Sequence, residues 1–191
     1  MRVLETNIYT FDELADDAKE RAREWWRDRF SQDSDWHEFA IEDAKECMAL
    51  LGFAVTDVRY TGFWSQGDGA CFTGSWSASD VKPVRAMHDH APKDDTLLRL
   101  SRDLNRLARR DKGAHAILTH RDRYCHEMTI GFDVDAKRDD ARDSLVELAR
   151  GAMRWIYRQL EREFEYQTTD EQVEDAIRAN EYEFTDTGRI T

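Results

Sequence analysis

Tyr60-Thr-Gly-Phe-Trp-Ser-Gln-Gly-Asp-Gly-Ala-Cys-Phe-Thr-Gly-Ser-Trp76 is the stretch on which the fold turns. After Tyr60 it holds four large aromatics and four glycines, with Gly67-Asp68-Gly69 as a tip between two strand-like arms. Glycine lets the backbone reverse and neighbours approach closely, while Trp and Phe supply broad flat surfaces. Alternation over Phe53–Trp64 and Ala70–Ser77 predicts two antiparallel strands around that tip. His115–Arg121 and Cys125–Val134 predict a second hairpin, with Met128, Ile130, Phe132 and Val134 on one face.

Helices fill the space around the hairpins. After a short strand over Val3–Tyr9, Thr10-Phe-Asp-Glu13 reads as a capping box. It opens a helix to about Phe30 with the stripe Leu14, Ala18, Ala22, Trp25 and Trp26. Asp33-Ser34-Asp35 punctuates, and a second helix starts near Trp36 with the stripe Trp36, Phe39, Ala40, Ala44, Cys47, Met48 and Leu51 before Gly52 ends it. Val81–His90 is a short helix with Pro83 in its first turn, and Lys93-Asp94-Asp95 opens another to about Arg110. The longest helix is Asp139–Tyr166; a cap at Thr168-Thr169 starts a short one to Ala179, and Tyr182–Ile190 is a last strand or extended tail. Helix pairs and hairpins alternate with no βαβ unit. That order predicts an α+β fold: an antiparallel sheet built from the two hairpins (about 53–77 and 115–134), with helices packed on it. No repeat or long linker divides residues 1–191, so a single domain is expected.

Charge is unevenly placed along the chain. Forty acidic and twenty-eight basic residues give −12 overall. Phe11–Gly52 carries thirteen acids against six bases, and Glu161–Gly188 carries ten against two. Arg99–Arg123 reverses the sign, with eight Lys/Arg against three Asp. Net acidity argues against general nucleic-acid binding, because phosphate repels most of the surface. It suits a basic protein partner. No window approaches the ~20 apolar residues of a membrane span, and the amino terminus lacks an apolar signal core. Three dispersed cysteines with no CxxC suit a reducing cytoplasm.

Three constellations are candidates for function. In the first hairpin, Phe63, Trp64, Phe72 and Trp76 are either the walls of a pocket, with Ser65, Gln66 and Asp68 orienting a ligand, or hairpin core. On the fourth helix, Arg99, Arg102, Arg106, Arg109 and Arg110 fall on one arc, opposite Leu97, Leu100, Leu104 and Leu107. Those guanidiniums read as a phosphate or carboxylate site, or as a solvated face neutralised by acidic helices. His115, His120, Cys125 and His126 cluster in the second hairpin, where a short turn would set His120 opposite Cys125 or His126. Glu127 and Asp133 are further ligands within reach, but no HExxH or zinc-type spacing supports a metal, and none is assigned. His88 and His90 are splayed by a helix. GxSxG, GxGxxG and GxxxxGK[ST] are absent, and any pairing of Cys71 or Cys125 with a His depends on the fold. The chemistry therefore leans away from an enzyme, with no cofactor expected.

Tyr9-Thr-Phe-Asp-Glu-Leu14, Gly62-Phe-Trp-Ser-Gln-Gly-Asp-Gly-Ala-Cys-Phe72, Met153-Arg-Trp-Ile-Tyr-Arg-Gln-Leu-Glu161 and Ala179-Asn-Glu-Tyr-Glu-Phe-Thr185 resemble an uncharacterised group of phage and prophage proteins, some labelled antitoxin-like. The resemblance covers nearly the whole chain and is weakest from Pro92 to Arg138. It implies a small accessory protein in the cytoplasm of an infected bacterium. The leading expectation is a non-enzymatic binding protein that inhibits or modulates a host protein with a basic surface. The alternatives are a nucleotide binder, stacking a base on the hairpin aromatics with phosphate on the arginines, and a metal-dependent hydrolase built on His120, His126 and Asp133.

Overall fold

Both predicted hairpins form, and they join in one sheet. A computed structural model describes residues 7–32, 35–121 and 123–191. Its elements run β1 (Tyr9–Thr10), α1 (Asp16–Ser31), α2 (Glu38–Leu50), β2 (Phe53–Tyr60), β3 (Ala70–Ser77), α3 (Val84–His90), α4 (Asp95–Arg110), β4 (His115–His120), β5 (Ile130–Asp135), α5 (Asp139–Gln167), α6 (Asp170–Ala179) and β6 (Glu183–Phe184). The fold is α+β with two antiparallel sheets, β1-β6 and β2-β3-β4-β5. Most of the Val3–Tyr9 strand, and Asp33-Ser34, fall outside the described residues. No helix among the described residues is long and apolar enough to cross a membrane.

The chain divides into two compact units, Met1–His37 with Arg162–Thr191, and Glu38–Glu161. The smaller unit is built from both chain ends. Tyr9 and Thr10 pair with Phe184 and Glu183. Phe11, Leu14, Ala18, Ala22, Val173, Ile177 and Phe184 form its buried core. Trp25 meets Tyr182 and Phe184 edge-on, with ring centroids 5.1 and 5.8 Å away. Gly188, at φ +77°, lies so close to α1 that a Cβ there would sit 2.1 Å from the Ala18 carbonyl oxygen. The Glu13 carboxylate accepts from both the N–H and the hydroxyl of Thr10, so the capping box closes. It closes a single 3-10 turn over Phe11–Glu13, however, and extended backbone at Leu14 and Ala15 delays the long helix to Asp16.

In the larger unit Phe53, Phe72 and Trp76 pack on one side of the sheet, each 2% exposed or less. The Trp76 indole N–H donates to the Leu51 carbonyl at 3.0 Å. Gly52, at φ +89°, ends α2. α4 buries Leu97, Leu100, Leu104 and Leu107, and its N-cap Asp94 accepts both the Leu97 N–H and the Trp155 indole N–H.

Four local expectations are corrected. Phe39 is 90% exposed instead of joining the α2 stripe. Trp36 precedes α2 and packs with Phe30 and Phe164 in the smaller unit. Pro83 caps α3 from outside it, as suits a residue whose fixed φ and missing N–H favour a helix entrance. Residues 125–129 make a loop and a 3-10 turn instead of a strand, so Met128 leaves the Ile130–Val134 face and is exposed.

Candidate functional site

β2 stops at Tyr60, and Thr61–Gly69 forms a nine-residue loop that replaces the predicted tight tip. The loop is closed by Thr61 N–H donating to Gly69 O at 3.0 Å and Asp68 N–H to Ser65 O at 3.1 Å. The Asp68 carboxylate accepts the Ser65 N–H at 2.6 Å, so this side chain builds the turn and is only partly exposed. Gly67 takes φ +95° in open space.

The sheet order brings the β4–β5 loop, Arg121–Thr129, to the same end, because β3 and β4 run antiparallel side by side. The two loops meet at Gly69, where a Cβ would lie 2.7 Å from His126 Cδ2. Thr129 fastens the second loop, its hydroxyl lying 2.8 Å from the Tyr124 carbonyl and 2.7 Å from the His126 carbonyl. Glu127 is buried and paired with Arg154 at 3.2 Å, and its carboxylate lies 3.1 Å from His126 Nδ1.

Of the predicted aromatic quartet, Phe72 and Trp76 are core. Phe63 is half-buried, stacked on Tyr60 with centroids 6.0 Å apart and tilted against Tyr157 at 5.6 Å. Trp64, Ser65 and Gln66 are exposed. A four-walled pocket therefore does not form; an exposed surface does. Trp64 (74% exposed) shares this end of the sheet with Met128 (60%) and Tyr124 (50%) of the second loop. Tyr124 and Met128 escaped the sequence reading because alternation placed Met128 in a strand. The signal that could have found them is apolar side chains between two polar turn segments.

The arginines lie elsewhere. Arg99, Arg102, Arg106, Arg109 and Arg110 are all exposed on α4, as the leucine spacing required. Arg106 pairs with Asp103 at 3.1 Å. Arg106 and Arg110 line a groove of about 590 Å³ with Lys137 and Arg138, over an apolar floor that includes Leu107 and Leu148. Hydrogen bonds from the Lys137 and Gly113 N–H groups hold the Asp111 carboxyl there below its usual range. α4 leads into His115, which pairs with Ser77 and Asp135. This groove thus lies at the opposite end of the sheet from loop 61–69. A base on Trp64 and a phosphate on these arginines are not parts of one pocket.

Nor do the histidines assemble as expected. His120 pairs with Ile130 instead of Cys125 or His126. His115 occupies the far end of β4, and Asp133 pairs with Ile117 three positions from His120. What does come together is Cys71, His120 and Cys125, with one ligand atom from each within 4.8 Å of the others. Burial, reinforced by Cys125, pushes the Cys71 thiol up to about 12. Asp43, Cys47 and His90 form a second such group. It offers a single sulfur, whose thiol burial likewise pushes up to about 12.

The sequence matches the family described as Domain of unknown function (DUF8835) over residues 36–170, well over half of the chain, and the protein belongs to that family. The matched span takes in the whole larger unit and ends at the first residue of α6. No curated protein and no solved structure matches the chain.

Proposed function

We propose that this member of a family of unknown function is a phage-encoded accessory protein of the bacterial cytoplasm, acting by binding a host protein with a basic surface. An antitoxin-like or anti-defence role fits such a binder. The supporting observation is the end of the larger sheet, where Trp64, Tyr124 and Met128 stand exposed on two neighbouring loops. Trp, Tyr and Met are enriched where protein interfaces bury their centres, and Trp and Tyr recur among the few residues that dominate affinity. Phe63, fixed by Tyr60 and Tyr157, gives Trp64 a rigid base, with ring centroids 5.9 Å apart. Gln66, exposed beside them, supplies a polar contact. The acidic smaller unit supplies attraction over longer range.

The test is capture of partners from bacterial lysate at low salt, followed by dissociation kinetics with the purified partner. Trp64→Ala is expected to leave melting almost unchanged and to weaken binding by about 2 kcal/mol or more, mainly through faster dissociation. An unchanged dissociation rate would exclude this surface. A second reading, a nucleotide or other phosphate ligand, draws on Arg106, Arg110 and Lys137 in the groove, which Asp103, Asp111, Asp140 and Glu147 also line. A nucleotide panel in a thermal-shift assay separates the two, since a ligand at ~100 times its Kd adds about 2.7 kcal/mol.

A further inference from the structure

We infer that Cys71, His120 and Cys125 form a site for a thiophilic divalent metal, zinc by its chemistry, that ties the loop 121–129 to β3. The inference is independent of the partner-binding proposal. Three ligand atoms from three segments, a central strand, the end of its neighbour and the following loop, lie within 4.8 Å of one another. Bonds of ~2.3 Å to sulfur and ~2.0 Å to nitrogen place tetrahedral zinc ligands roughly 3.5–3.8 Å apart. A contraction of about 1 Å, largely in a loop, closes the shell.

The donor set selects the metal. Two thiolates and an imidazole suit zinc and its soft relatives, whereas magnesium and calcium require oxygen ligands. His120 is already oriented, for its Nε2 lies 2.8 Å from the Tyr124 carbonyl. A ligating histidine is commonly held by such a hydrogen bond from one ring nitrogen to a carbonyl, which leaves the other for the metal. A cation on the neighbouring strand is Arg59, cross-strand neighbour of Cys71 and held by Asp57 at 2.6 Å. Zinc with two thiolates and a neutral imidazole carries no net charge, so Arg59 does not oppose it. Cys71 is buried while His120 and Cys125 are half-exposed, which leaves the fourth position facing solvent, for water.

Cobalt(II) substitution of the reduced full-length protein tests the site. One equivalent is expected to give the strong visible bands of tetrahedral cobalt together with thiolate-to-cobalt charge-transfer absorption. Zinc is expected to bleach both. Cys125→Ser is expected to remove part of the charge-transfer band and weaken zinc by more than about 100-fold in chelator competition, since loss of a ligand exceeds the 10–100-fold effect of an outer-shell partner. Cys47→Ser removes the single sulfur of the Asp43, Cys47 and His90 group; a charge-transfer band that is lost in Cys47→Ser and survives in Cys125→Ser would place the metal there and overturn the inference. His120→Asn, which keeps a polar group of similar size, guards against misreading a folding defect. Folded wild-type protein with no charge-transfer band would overturn the inference. So would equal zinc affinity in folded Cys125→Ser, or reduced protein that takes up no metal and oxidises to a Cys71–Cys125 disulfide.

Discussion

The two units differ most in charge. Met1–His37 with Arg162–Thr191 holds nineteen acidic and nine basic residues, a net of −10. Glu38–Glu161, nearly twice as long, holds twenty-one and nineteen, a net of −2. Almost the whole charge of the protein thus resides in the unit assembled from its two ends. The family's domain, with the exposed loop end, is close to neutral. Within the acidic unit the arginines already have partners: Arg23 with Glu20 and Glu174, Arg27 with Asp170, and Arg178 with Asp12 and Glu174. Two of those pairs, Arg23 with Glu174 and Arg27 with Asp170, bridge α1 and α6, while Asp16, Glu24, Asp28, Glu171, Glu183 and Asp186 remain exposed. Such a division suits two tasks. A concentrated field accelerates encounter, whereas desolvated aromatic contacts slow departure.

The larger effects are on the cores that keep these units apart in character. Trp76→Ala removes a fully buried indole and leaves the Leu51 carbonyl without its donor. Its expected cost is about 4 kcal/mol or more, the cavity penalty with an orphaned acceptor added. Phe184→Ala, in the smaller core, is expected to cost about 3 kcal/mol, at the lower end of the range for a lost aromatic. Urea unfolding of both variants measures the difference. A smaller loss for Trp76→Ala than for Phe184→Ala would reverse the ranking of the two cores.

Next comes the division of labour that the proposed function implies. Neutralising Glu24, Asp28 and Glu171 together (to Gln, Asn and Gln) is expected to slow association with a basic partner about tenfold at low salt, within the range of electrostatic steering. The dissociation rate should hardly change, and the effect should fade as salt shortens the screening length. The same number of exposed acids neutralised in the larger unit, Glu46, Asp95 and Asp143, is expected to do much less. Equal slowing by both triple variants, followed by stopped-flow fluorescence, would show that net charge matters and its location does not.

Which parts of this could be read beforehand follows from sequence distance. The arms of the first hairpin announced themselves by alternation, since Phe72 and Trp76 share a face two-by-two. The α4 arcs were equally plain, because leucines and arginines separate at helical spacing within one element. Thr169 accepting the Gln172 N–H confirms a cap written in four adjacent residues. His120 and Cys125 were expected to approach each other, and do, but the arrival of Cys71 beside them was not readable: it comes from β3 lying beside β4, a pairing across two intervening helices. Phe39 misled for a related reason, in that a stripe counted from Trp36 assumed a helix that begins only at Glu38. The acidic ends could be counted in sequence, but their union in one unit is a matter of tertiary contacts: the β1–β6 pairing, the shared buried core and the α1–α6 arginine pairs.

The smallest effects distinguish scaffold from contact within the loop that the neutral unit presents. Asp68 and Gln66 are two residues apart and differ in what the loop asks of them. The Asp68 carboxylate holds the Ser65 N–H, so Asp68→Ala is expected to destabilise the loop by about 1 kcal/mol. Gln66 is exposed on the same turn, and Gln66→Ala should change stability by less than ~0.5 kcal/mol. If the loop end grips the partner, Gln66→Ala should nevertheless speed dissociation, by an amount below that of Trp64→Ala, because a polar contact beside an aromatic anchor contributes about 1 kcal/mol. Melting curves and dissociation rates measured on the two single variants separate the roles. Unaltered dissociation for Gln66→Ala, with Trp64→Ala impaired, would confine the grip to the aromatics and leave the polar tip as a turn that positions them.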